Sequence, residues 1–264
     1  MPLPARQAVA CGLGLIVAAI ALAAPAVALA ADEEIQVYMD DMSKQGHFGL
    51  DVHNNYVLDG SDKPDYPGGL ISRDTYRLTP EFAYGITDNL EAGLYLLTAV
   101  DPNGGINFGG PKVRLKYIAP KASPDQDYFW GVNFEIGRLN RHFDNNPSGA
   151  ELKTIYGIRK GPWTVVFNGN IDWTVSGPDP QPVSFDFDTK VSYKVADNLD
   201  VGFESYNGLG DVKALGNFSR NTQMLYGVID TSIAGWDLNL GVGRGLTGVS
   251  DQWVAKAIIG VPFP

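Results

Sequence analysis

The sequence predicts an all-β protein: a closed, antiparallel, up-and-down transmembrane β-barrel of about 12 strands. Three observations predict it. Runs of alternating apolar and polar residues recur along the chain, the connections between them alternate in length, and the two faces of the runs differ in kind. The stretch Arg77 to Leu97 (RLTPEFAYGITDNLEAGLYLL) shows the repeating unit. Tyr76, Leu78, Phe82, Tyr84 and Ile86 share one face, opposite Arg77, Thr79, Glu81, Ala83 and Gly85. Beyond the turn Thr87-Asp88-Asn89, Leu90, Ala92, Leu94 and Leu96 fall opposite Glu91, Gly93 and Tyr95. Successive strand side chains point to opposite faces, so alternation on both sides of a short turn is a β-hairpin. Each run has about the 9–11 residues that a tilted strand needs to cross a bilayer's hydrocarbon layer.

Residues 1–30 read as a signal peptide. Arg6 is their only charge, Cys11 to Ala24 is an apolar run, and Ala28-Leu29-Ala30 supplies the small-x-small site for cleavage before Ala31. The apolar run is short and Pro25 interrupts its end, which disfavours a membrane anchor. Cys11 is the chain's one cysteine, so the exported part has none and forms no disulfide. Residues 31–46 (ADEEIQVYMDDMSKQG) read as a polar N-terminal leader, and 47–264 as the barrel itself.

Alternation places strands at about 48–58, 74–86, 90–100, 111–118, 128–137, 150–159, 163–174, 184–195, 199–207, 222–233, 236–244 and 252–263. Short connections stand at Thr87-Asp88-Asn89, Lys160-Gly161-Pro162, Ala196-Asp197-Asn198 and Ala234-Gly235, with Ala119 to Asp127 somewhat longer. Between them lie Gly-, Pro- and Asn-rich segments at 59–73, 101–110, 138–149, 175–183, 208–221 and 245–251. Short periplasmic turns alternating with long extracellular loops are the signature of a bacterial outer-membrane barrel. An even strand count leaves both ends of the barrel on the short-turn side.

One face of every strand is apolar: Val113, Leu115 and Tyr117 on the fourth, Trp163, Val165, Phe167, Ile171 and Trp173 on the seventh. No charge falls on this face, with the tenth strand phased so that Leu225, Ile229 and Ile233 point outward. The opposite face carries Asp51, His53, Lys153, Asn168, Asn170, Asp172, Asp186, Asp188, Lys190, Glu204 and Lys256 among others. Aromatic residues gather at strand ends, Trp163 and Trp173 on one strand and Tyr76 and Tyr84 on another. Paired aromatic girdles suit the two interfaces of a bilayer, and lipid tolerates no open sheet edge. A soluble periplasmic β-protein is the weaker reading. Phe263, next to the C-terminal Pro264, serves either as the terminal aromatic of an outer-membrane barrel or as one more girdle residue.

The formal charge of −10 argues against nucleic acid as a partner. The partners expected are outer-membrane lipid, the barrel-assembly machinery during insertion, and a small-molecule solute. The stretches EIQVYMDDMSKQGHFGLDVHNNYV, PEFAYGITDNLEAGLYL, GVNFEIG and GVGRGLTGVSD resemble a family of proteobacterial outer-membrane barrel proteins. That family is similar to the meta-pathway phenol-degradation-like and transporter-like barrels. The resemblance implies a barrel and suggests small-molecule passage, and it carries over no binding residue.

No catalytic set emerges. His53 shares its face with Asp51 and Asn55, and His142 lies in a loop beside Arg141 and Asp144, but neither has a recognisable paired nucleophile. Asp59, Asp62 and Asp65 lack the glycine and terminal glutamate of a Ca²⁺ loop, so no metal or cofactor is expected. The constellation with chemical content is the set of lumen charges: Arg77, Glu81, Glu91, Lys112, Arg114, Lys116 and Glu135. These form either a constriction that selects small polar or anionic solutes or a cross-strand salt-bridge network that fills the interior. The sequence thus reads as a narrow outer-membrane pore or facilitator. The alternative is a non-conducting barrel with a binding or envelope-structural role through its loops.

Overall fold

The computed structural model describes residues 34–262, so the signal peptide, Phe263 and Pro264 lie outside the described residues. Twelve strands form one closed antiparallel barrel. They are β1 (Phe48–Asp59), β2 (Tyr76–Thr87), β3 (Leu90–Val100), β4 (Ile106–Ile118), β5 (Tyr128–Arg138) and β6 (Ser148–Lys160). They continue as β7 (Trp163–Ser176), β8 (Ser184–Ala196), β9 (Leu199–Asp211), β10 (Gln223–Ile233), β11 (Trp236–Gly245) and β12 (Trp253–Val261). Each pairs with its neighbour in sequence, and β1 closes the ring on β12 with Leu50 opposite Val261 and Tyr56 opposite Ala255. The tightest turn, Ala234-Gly235, has both residues at positive φ (52° and 84°), as a two-residue type I′ hairpin requires.

The facing pattern follows the alternation. Leu225, Ile229 and Ile233 are 42%, 44% and 57% exposed while Met224, Tyr226 and Val228 are buried, which fixes the tenth strand's phase as expected. Outward rings pair across strands, Trp163 with Tyr193 at 4.9 Å and Phe48 with Tyr84 at 4.8 Å. Two expectations need correction. The fourth strand starts at Ile106, not at 111, because 106–110 reads as loop in sequence, whereas Gly109-Gly110 is absorbed by a register shift between Leu97 and Thr98. The outward face is also not free of charge: Arg244 stands on it over the Trp253 ring, 4.9 Å away, with Arg138 and Lys160 outward on β5 and β6. All three occupy the last two positions of their strands.

The segment before β1 runs inside the barrel. Ile35 packs against Val57, Met224, Tyr226 and Val254, near the long-loop end. Val37 and Tyr38 pack with Ile118, Phe129, Ile155 and Val166, nearer the short-turn end. The segment leaves the lumen at Gly46, whose N–H donates to Gly85 O at 2.8 Å, beside a parallel bridge from Gln45 to Gly85. Burying three side chains of this size removes apolar area worth roughly 1.5–3 kcal/mol each. The exit exists because position 85 has no side chain: a Cβ there would collide with the carbonyl oxygens of Ser43 and Lys44, both fixed backbone atoms. Gly85→Val is therefore expected to expel the lower part of the inner segment at a cost of about 1–3 kcal/mol. Limited proteolysis of the folded barrel checks this, with cleavage within 34–46 expected in the variant and protection in the native chain. Equal protection in both would show that the segment does not depend on that gap.

Candidate functional site: the lumen and its inner segment

The seven charges expected in the lumen all face it, and six of them fall into two groups. The first centres on Arg114, held at mid-height on β4. Its Nε donates to Glu81 Oε1 at 2.6 Å and its Nη2 to Glu91 Oε1 at 2.8 Å, with Nη2 also paired to Glu81. Gly93 stands opposite Arg114 across β3–β4, and a Cβ there would lie 2.6 Å from Arg114 Cγ and Nε, so the stem of the arginine lies flat over that glycine. Glu81 also meets His53 Nε2 at 3.0 Å, and Glu91 accepts the Ser43 N–H at 2.5 Å. Two carboxylates thus clasp one guanidinium, and each reaches a further partner.

The second group joins β4 and β5 to the inner segment. Lys112 Nζ lies 2.9 Å from Glu135 and 3.2 Å from Glu34. Tyr38 donates its hydroxyl to Glu135 at 2.9 Å, and the Tyr95 hydroxyl lies 2.5 Å from that of Tyr38. Since Tyr38 uses its proton on the carboxylate, Tyr95 is the donor between the two rings. Lys116 donates instead to a backbone carbonyl, Asp41 O, at 2.6 Å, and sits over the Tyr38 ring at 5.5 Å. Arg77 is buried, with its guanidinium 5.6 Å from the Phe143 ring of the β5–β6 loop.

A third network did not emerge from the sequence. Glu204 on β9 takes Lys190 at 3.2 Å, the Tyr206 hydroxyl at 2.7 Å, and Lys256. Lys190 continues to Asp230 at 2.8 Å, and Lys256 donates to Ile35 O at 2.9 Å. Asn168 exchanges two bonds with the backbone of Tyr38, accepting its N–H at 2.7 Å and donating to its carbonyl at 3.0 Å. At the short-turn end Arg159 grips Asp40 with both Nη atoms, at 2.7 and 2.6 Å, above the Phe129 ring. The signal for this arrangement was the Ile35-x-Val37-Tyr38 pattern, with Met39 and Met42, inside a leader otherwise acidic and polar.

The other candidates lie elsewhere. His142 Nδ1 is 2.8 Å from Gly68 O in the loops, and Asp59 and Asp62 both pair with Arg73. Among the described residues no group of three or more His, Cys, Asp or Glu is placed to hold a metal ion. A cavity of about 510 Å³ lies toward the long-loop end of the lumen, lined by β5 to β10 and β12 and by Glu34 to Gln36 and Tyr38 of the inner segment.

No family model matches the sequence, and no curated protein matches it. Its fold is that of the porin-like barrels. The solved KdgM porin superposes with a TM-score of 0.55 over 82% of this chain and 99% of its own, at 8% identity. An outer membrane channel from Pseudomonas putida F1 gives 0.54 over 87% and 100%, at 17% identity, and the NanC porin 0.51 over 81% and 99%, at 14%. At such identities the likeness is one of architecture.

The paired geometry makes Arg114 a structural centre. Replacing it with Glu places a third carboxylate between Glu81 and Glu91, and leaving a buried charge uncompensated costs about 3–5 kcal/mol. Refolding yield of Arg114→Glu, read as heat-modifiable gel mobility, is expected to collapse. A variant that folds like the native barrel would show that these charges are not interlocked.

Proposed function

We propose that this chain is an outer-membrane channel for small molecules, its lumen narrowed by its own N-terminal segment. One observation carries the reading: a closed barrel whose outer surface is apolar and aromatic encloses a polar, charged interior with open volume. A soluble barrel would hide the apolar face and send its charges to water. Here Glu81, Arg114, Glu135 and Glu204 are buried inside while Phe82, Leu94, Val113 and Phe203 are exposed outside. Lipid is the solvent for such a surface, and Arg138, Lys160 and Arg244 at strand ends suit its polar boundary.

The neighbours support passage of solutes. One solved form of the KdgM porin is a complex with oligogalacturonate, and the Pseudomonas putida protein is described as a channel. The sequence resemblance to phenol-degradation-like and transporter-like barrels points the same way. On this reading the chain's partners are outer-membrane lipid, a small solute and the machinery that inserts barrels, and it acts without catalysis. The second reading, a non-conducting barrel, is favoured by the lumen segment itself, because Tyr38, Tyr95, Arg114 and Glu135 occupy the barrel's middle.

Two measurements test the proposal. Val165→Arg, on the outer face of β7, is expected to lose about 2–4 kcal/mol in lipid vesicles, whereas Asp172→Arg on the inner face of the same strand is tolerated. Equal tolerance would refute the lipid-facing assignment. In planar bilayers, deleting residues 34–45 is expected to raise single-channel conductance at least about twofold, since a narrow pore's conductance follows its cross-section. If neither the native barrel nor the deletion conducts after verified insertion, the channel reading fails and the non-conducting one replaces it.

A further inference from the structure

The loop-side cavity has an uneven wall. Across β5, β6 and β7 the register sets Glu135 directly opposite Glu151, and Glu151 directly opposite Asp172. Like charges facing each other across strands are destabilising, so this row is retained against a folding cost. Glu135 and Glu151 recover part of it through Lys112 and Lys153, at 2.9 and 3.1 Å. Asp172, Asp186 and Asp188 form no ion pair of their own among the described residues. Lys153, paired to Glu151, acts on them only from farther off, and Asp172 and Asp186 lie diagonally across β7–β8, close enough to act on one another.

A second observation concerns neutral groups. Asn170, 6% exposed and lining the cavity, donates its amide N–H to Asp188 Oδ2 at 2.8 Å. That bond fixes which end of the amide is oxygen, because the reverse orientation would set oxygen against carboxylate. Its Oδ1 is buried with no hydrogen-bond partner, and so is Oε1 of Gln36 on the inner segment across the cavity. A buried acceptor without a donor is destabilising. Carboxylates on the wall and unpaired amide oxygens just beneath its surface leave this quadrant rich in acceptors and short of donors. Among the described residues no three His, Cys, Asp or Glu converge as metal ligands.

We propose that this part of the cavity binds organic cations, amine or guanidinium solutes, with Asp172, Asp186 and Asp188 supplying charge and the side chains of Asn170 and Gln36 turning their unpaired oxygens to accept N–H bonds. Such solutes carry several donors on one positive group and make charge-assisted bonds to carboxylates. The cavity's volume accommodates a small diamine or guanidino-amine. The preference is opposite in sign to that of a site for a polyanion. The inference rests on the channel reading for its physiological meaning, but the site itself is tested by binding.

Agmatine is the probe and galacturonate its anionic counterpart, titrated by calorimetry into the refolded full-length barrel in a non-ionic detergent at low salt. The native barrel is expected to bind agmatine and to give no heat with galacturonate. Asp172→Asn combined with Asp186→Asn is expected to weaken agmatine binding about tenfold or more while folded mobility on gels stays native. Asp197→Asn, in the exposed β8–β9 turn, is expected to bind as the native chain does. Absence of agmatine binding to the native barrel, unchanged affinity in the double variant, or equal binding of galacturonate would each overturn the site. Bilayer recordings on the same protein separate the two proposals. Binding without conductance retains the site and refutes the channel, whereas conductance without binding retains the channel and refutes the site.

Discussion

A length of chain with no strand partner runs through this barrel, and its peptide groups still require hydrogen bonds. Buried backbone N–H and C=O groups are almost always paired, and a lumen filled with side chains offers little free water to do it. The wall supplies the partners instead. Lys256 reaches Ile35 O, Asn168 takes both polar groups of Tyr38, Lys116 reaches Asp41 O, and Glu91 accepts the Ser43 N–H. These side chains come from β3, β4, β7 and β12, so the requirements of one segment dictate polar residues around most of the circumference. The charged inner face answers a local bonding problem before it answers any question of selectivity.

The ion pairs follow from the same requirement. A lysine or carboxylate recruited to hold backbone must itself be neutralised in a crowded interior. Lys256 is balanced by Glu204 and Glu91 by Arg114, and each balancing group has a further partner in Tyr206 or Glu81. Pairing thus spreads outward from the inner segment and ends where the segment no longer touches the wall. The β7–β8 carboxylates lie beyond that limit, facing open volume. This separation divides one lumen into a locked half and an available half.

Most of the barrel was legible in the sequence because one face of each strand meets a single kind of surroundings. Val113, Leu115 and Tyr117, or Trp163 through Trp173, alternate strictly, and that period fixes strand, face and phase together. Boundaries were less legible where glycine and proline lie inside a strand, as at Gly109-Gly110-Pro111, since a bulge and a loop share composition. The seven lumen charges could be placed on the inner face, but their partners could not. Arg114 meets Glu81 and Glu91 through the closure of adjacent hairpins, while Lys112 and Lys116 owe part of their bonding to the inner segment. That segment was hidden because Glu34, Asp40 and Asp41 make it look solvent-borne, and only Ile35, Val37, Tyr38 and the two methionines betray a buried side.

The bonds that hold the inner segment join residues far apart in the chain, 130 positions from Tyr38 to Asn168 and 221 from Ile35 to Lys256. Contacts of that separation form only after the intervening loop has been closed, and they carry its entropy. The meeting of β1 with β12 and the seating of the segment are thus expected to be coupled late events in folding. A chain interrupted before β12 lacks Lys256 and leaves Ile35 without its clasp. Completion of the wall and filling of the interior consequently behave as one cooperative step, and an unfinished barrel is also an unlatched one.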